Sequence, residues 1–176
     1  DYGNMIVSTA NGTGVTAGGT TKIGNGSLNS DTVISLTGSG ATAIHVAGGA
    51  TATLDGVQID TNAYANQIGV WVDSTEKLIV DRATIYVAED NTGIENDGTT
   101  ILNGADMRVR NGNTGTLVNN AGDLILNDGT LWTDTGAAIS MTAGTFTMTG
   151  GDITTTSYYY GALRMLGGTA DLQGGS

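Results

Sequence analysis

Leu54-Asp55-Gly56-Val57-Gln58-Ile59 sets the pattern of the chain, because it returns as Val80-Asp81-Arg82-Ala83-Thr84-Ile85 and as Leu102-Asn103-Gly104-Ala105-Asp106-Met107. Further copies are Leu126-Asn127-Asp128-Gly129-Thr130-Leu131, Met148-Thr149-Gly150-Gly151-Asp152-Ile153 and the shortened Leu172-Gln173-Gly174-Gly175-Ser176. The starts of successive copies lie 26, 22, 24, 22 and 24 residues apart. A near-constant period of this size, written in strand formers and Gly, predicts a stacked β-solenoid with one coil per repeat. The scatter belongs to the turns, since the strands must stay in register.

Working outward from the motif, an apolar segment precedes each copy: Ile44-His45-Val46, Val70-Trp71-Val72, Ile94, Leu117-Val118, Ile139-Ser140-Met141 and Leu163-Arg164-Met165. That gives three short strands per coil and about seven coils, a rod roughly 35 Å long at the usual strand spacing of about 4.8 Å. Period-2 alternation points one set of side chains inward. The inward ladders are Leu54, Val80, Leu102, Leu126, Met148, Leu172 and Ile59, Ile85, Met107, Leu131, Ile153. No helix is predicted.

The chain has 29 Gly, no Pro and no Cys, with 39% hydrophobic residues. Gly and Asn suit tight corners and Thr suits exposed strand positions, while apolar ladders argue against disorder. Residues 1–176 read as one domain with no internal linker, and 1–40 as irregular first coils or a cap. The residues from Asp60 to Gln67, which account for the longest interval, are expected to bulge as a loop. Seventeen acids against six bases give a net charge of −11, which disfavours nucleic acid and anionic membrane surfaces as partners. No apolar run is long enough to span a bilayer. The start at Asp1 reads as a mature or engineered terminus, and the stop within a coil at Gly175-Ser176 reads as a cut from a longer protein.

The repeats "ATAIHVAGGATATLDGVQI" and "GTLVNNAGDLILNDGTL", together with the opening "DYGNMIVSTANGTGVTAGGTTKI", resemble the pertactin-like passenger domains of Gram-negative autotransporters. The resemblance spans about residues 1–176 and lies in the degenerate repeat. It implies an all-β, right-handed, single-stranded parallel β-helix, export through a C-terminal outer-membrane β-barrel, and a secreted or cell-surface location. The implied role is an adhesin, in host adhesion, self-association or biofilm formation and virulence, with no enzymatic activity and no cofactor. Partners are then a host surface protein or glycan, or another copy of the chain. The Arg-Gly-Asp tripeptide and Pro-rich loops of some relatives are absent from this sequence.

Residues that carry chemistry are few. Asp55 is expected to stack over Asp81, a like-charge pair that Arg82 would neutralise or that a Ca²⁺ would bridge. Glu89, Asp90, Glu95 and Asp97 form a second acidic group without the order of an EF-hand or a repeat-type Ca²⁺ motif. One histidine, His45, and no cysteine cannot build the usual zinc site, and neither a nucleophile elbow nor a phosphate loop is present. The strongest binding surface is the outward column Asp60, Tyr86, Arg108, Trp132, Thr154, in which a guanidinium lies between two aromatic rings. Arg110 is expected to pair with Asp134. Trp71 is placed outward in a column with His45, Gly93 and Leu117, and Tyr158-Tyr159-Tyr160 puts at least one further ring on the surface. Two rival classes are a carbohydrate-active β-helix of lyase or tailspike type, which needs clustered acids and bases, and an ice-binding solenoid. Thr51-Ala52-Thr53 and Thr145-Phe146-Thr147 suit the latter, but the coils between them break the threonine row.

Overall fold

A computed structural model describes residues 4–24, 26, 32–110, 114–157 and 161–176. The chain winds as a right-handed parallel β-helix, and every strand pairing among the described residues is parallel. Three faces repeat in chain order. The first face is a seven-stranded sheet of Thr13–Ala17, Thr42–Val46, Ile68–Val72, Thr92–Asn96, Thr116–Asn120, Ile139–Met141 and Leu163–Met165. The second face stacks Thr20–Ile23, the first half of Thr51–Asp60, the first half of Lys77–Val87, Thr99–Leu102, Asp123–Leu126, Thr145–Met148 and Thr169–Leu172. The third face holds Asn4–Val7, Thr32–Leu36, the second halves of the two long strands, Ala105–Val109, Gly129–Thr133 and Asp152–Thr155. About six turns result, with a part-turn at each end, where the sequence predicts about seven.

Both ladders fall in the predicted register. Leu54 pairs with Val80, Val80 with Leu102, Leu102 with Leu126, Leu126 with Met148 and Met148 with Leu172. Ile59, Ile85, Met107, Leu131 and Ile153 align in the same way. The two ladders are five residues apart, an odd number, so both can point inward only if the chain turns a corner between them. In Thr51–Asp60 that corner is a bulge at Asp55 and Gly56, where Gly56 takes φ 75°, a left-handed conformation open to Gly at no steric cost.

The core is one column of buried apolar side chains, aliphatic but for Phe146, running along the stack. Polar groups enter it in pairs. Asn96 Nδ2 donates to Asn120 Oδ1 at 2.6 Å, Thr100 Oγ1 donates to Asn96 Oδ1 at 2.7 Å, and both asparagines are fully buried. Stacked amides satisfy each other across coils, so the corner between the first and second faces can turn inside the core. The segment after Asp60 forms a loop, as expected, that exposes Ala63, Tyr64, Ala65 and Asn66. Its ends are tied down, since buried Gln67 donates through Nε2 to Gly38 O at 2.9 Å and accepts from Asn62 N at 2.6 Å.

The first face departs from the predicted register. His45 and Trp71 do align, but the column continues through Glu95, Asn119, Ser140 and Arg164, not through Gly93 and Leu117. Two consecutive residues are buried in these strands, Gly93 with Ile94 and Leu117 with Val118, so strict alternation fails there.

Candidate functional site

The third face presents Asp60, Tyr86, Arg108, Trp132 and Thr154 in one outward column, in the predicted order. Their strands alternate cleanly, so Ile85, Met107 and Leu131 are buried while Tyr86 and Trp132 are half-buried and Arg108 is exposed. A shallow cavity of about 260 Å³ lies among Tyr86, Arg108, Val109, Arg110, Thr130 and Trp132. The cation on the aromatic ring is not the expected one. Arg110 lies over Tyr86, its guanidinium carbon 4.0 Å from the ring centroid, and its Nη2 is 3.3 Å from Asp60 Oδ1. Arg110 therefore reaches back across two coils to Asp60, and the pair expected with Asp134 is replaced.

Arg108 turns along its own strand instead, donating from Nε to Asp106 Oδ1 at 2.8 Å. Residues two apart on a strand share a face, so this pair is local. The Asp106 carboxylate pushes the Arg108 pKa up from an already high value, which keeps the side chain cationic. Its terminal nitrogens are outside that bond, and Arg108 lines the cavity shared with Trp132. The cleft thus offers two flat rings, two guanidinium groups and a threonine hydroxyl within one small volume. Such a mixture suits a ligand with an apolar face and polar or anionic substituents.

Trp71 belongs to a different face. Its ring stacks on His45 with centroids 4.7 Å apart and planes 18° apart, and its Nε1 donates to Asp97 Oδ2 at 3.4 Å. His45 Nε2 lies 3.1 Å from Asp73 Oδ1. One coil on, Glu95 accepts from Asn119 Nδ2 at 2.7 Å, and burial raises its pKa, with the neighbouring Asp97 charge adding to the effect. Trp71 is 37% exposed but does not join the cleft on the third face. Tyr158, Tyr159 and Tyr160 lie outside the described residues.

The expected stack of Asp55 on Asp81 does not form. The bulge after Leu54 sets Asp55 opposite Arg82, and there it is only 5% exposed. Lys22 Nζ approaches Asp55 Oδ2 at 2.7 Å, while Arg82 Nη2 and Nε approach Oδ1 at 2.7 and 2.8 Å. These bonds, that from Lys22 foremost, hold the carboxyl below its ordinary range against the opposing effect of burial. Asp81 begins a separate surface ladder. It accepts from Asn103 Nδ2 at 2.9 Å, Asn103 accepts from Asn127 at 2.9 Å, and Asn127 accepts from Thr149 at 2.8 Å.

Sequence reasoning missed Glu76, which is 4% exposed. Its carboxylate accepts from Gly49 N at 2.9 Å, from Ala50 N and from Thr75 Oγ1 at 2.9 Å, and these bonds, the one from Gly49 above all, depress its pKa. The available signal was Gly48-Gly49 one coil earlier, a tight turn with amides to satisfy. Glu89 and Asp90 precede the strand Thr92–Asn96, and Glu95 and Asp97 sit at its far end. Among the described residues no three His, Cys, Asp or Glu side chains gather closely enough to hold a metal ion. Among the described residues no helix is long and apolar enough to cross a membrane. Comparison with protein-family models, with curated proteins and with solved structures finds no match to this chain.

Proposed function

We propose that this chain is a non-enzymatic binding segment of a bacterial cell-surface passenger of the pertactin-like autotransporter type, serving adhesion to host or to other cells. The observation that carries the reading is the third-face cleft, where Tyr86, Arg108, Arg110 and Trp132 converge. Aromatic rings and arginines are the residues that most often dominate binding surfaces. A parallel β-helix with a long regular surface is the scaffold that the family resemblance implies. The buried acid at Asp55 fits a structural role, because both of its oxygens are already taken by cations.

Binding of the chain to host cells and to a glycan array tests the proposal. Trp132→Ala should weaken adhesion by about 1–3 kcal/mol, a loss of roughly 5- to 150-fold, with melting unchanged. Asp81→Asn, outside the cleft, should leave adhesion as it is. Unchanged adhesion after both Trp132→Ala and Arg108→Ala would move the site elsewhere, with Tyr158–Tyr160 the next candidates. Release of unsaturated or reducing sugars from acidic polysaccharides, lost in Asp81→Asn, would favour the lyase class.

A further inference from the structure

The second face carries two outward rows. Up the stack, one row reads Thr51, Lys77, Thr99, Asp123, Thr145 and the other Thr53, Ile79, Ile101, Ile125, Thr147. One coil further out at either end, Lys22 and Asp171 extend the second row. Counted outward from Thr99 and Ile101, each row is symmetric in side-chain type and opposite in charge. Lysine stands one coil below the centre and aspartate one coil above it, and the same holds three coils out. Three isoleucines stacked outward on a strand face are also unusual beside the polar outward positions around them, and among the described residues no other strand packs over them.

We propose that this face docks against the same face of a second copy of the chain, antiparallel, about a two-fold axis running along the strand Thr99–Leu102. Rotation about that axis reverses the order of coils and keeps the direction of the strands. Lys77 then meets Asp123 of the second copy, Asp123 meets its Lys77, and Ile79, Ile101 and Ile125 cover Ile125, Ile101 and Ile79. A parallel arrangement, about an axis along the stack, leaves Lys77 level with Lys77 and Asp123 level with Asp123 and swaps the two rows, so like charges share a height and lose their opposite partners. Lys22 is already held by Asp55, so the inner pairs carry the electrostatic match. The contact is isologous and closes as a dimer rather than a filament.

A strip of seven coils by four residues measures about 34 by 13 Å, roughly 450 Å² per copy against about 800 Å² in a standard interface, so the association is weak and favoured by crowding on a surface. It is independent of what the third-face cleft binds.

Sedimentation of the 176-residue chain over a concentration series tests the proposal. The unaltered chain should dimerise at high concentration. Lys77→Asp alone and Asp123→Lys alone should each weaken the dimer at least about tenfold, because each sets two like-charge contacts across the axis. An equimolar mixture of the two variants should regain the original association, since every contact is again between opposite charges. Trp132→Ala should dimerise normally while losing adhesion, which separates this contact from the cleft. If either reversal fails to fold, Thr99→Lys, which brings two ammonium groups together on the axis, takes its place and must weaken the dimer likewise. A chain that stays monomeric throughout, single variants that associate like the parent, or folded variants whose mixture fails to recover would each overturn the proposal.

Discussion

At the scale of the residue, two carboxylates show how one stack can push the same chemistry in opposite directions. Asp55 has a folded pKa below its ordinary value of 3.8, so its contribution to stability is fully present above that value and is lost as pH falls through the folded pKa. Acid unfolding should therefore begin below about pH 4, and Asp55→Asn should flatten that limb. The same substitution should cost about 1–3 kcal/mol at neutral pH, discounted from a fully buried pair because Lys22 and Arg82 remain half in water. Thermal melts from pH 3 to 7 check both statements. Glu95 has the reverse sign. Its pKa is raised above 4.5 by burial and by Asp97, so between 4.5 and the folded value the native state binds more protons than the unfolded chain, and stability falls as pH rises. Glu95→Gln keeps the acceptor for Asn119 and removes the charge. It should raise the melting temperature at pH 7 and have no effect at pH 3; a drop at pH 7 would show that the ionised form is the better partner for Asn119.

At the scale of the element, legibility in the sequence followed the period of the strand. The second and third faces alternate strictly, so both inward ladders and the outward column through Tyr86, Arg108 and Trp132 could be read from spacing alone. The first face buries neighbours such as Leu117 and Val118 together, and the outward column through Trp71 was lost at that point. The bulge at Asp55 hid the Asp55–Arg82 pair in a similar way, because one extra residue changes which side chain faces which. Arg110 escaped for a different reason: its partner Asp60 lies two coils away, at the reach of a long side chain rather than in the strand register. Where register was legible, it predicts the effect of damage. Leu126 is fully buried between Leu102 and Met148, so Leu126→Asp places an unpaired carboxylate between coils and should cost on the order of several kcal/mol. Urea titration followed by circular dichroism measures it, and a midpoint equal to the parent's would mean that this position does not face the core.

At the scale of the whole molecule, the stack has no centre in the globular sense. Strands pair only with those of the coils on either side, so stability is close to a sum of neighbour terms and depends on height in the stack. The ladder that begins at Leu54 makes this measurable with one residue type in one structural position. Leu102 has a coil on both sides and is 0% exposed, whereas Leu172, in the last part-turn, is 62% exposed. Truncation at Leu102 opens a cavity that rigid sheets on all sides cannot collapse, and Leu102→Ala should cost about 2–5 kcal/mol. Truncation at Leu172 removes a side chain that mostly faces water, and Leu172→Ala should cost less than about 1 kcal/mol in this 176-residue chain. Hydrogen exchange should show the same gradient, with the slowest amides in Lys77–Val87, Thr99–Leu102 and Asp123–Leu126 and the fastest in Thr169–Leu172. Equal costs for the two leucines, with uniform protection along the chain, would mean that the coils unfold as a single cooperative block whose stability is not set by nearest neighbours.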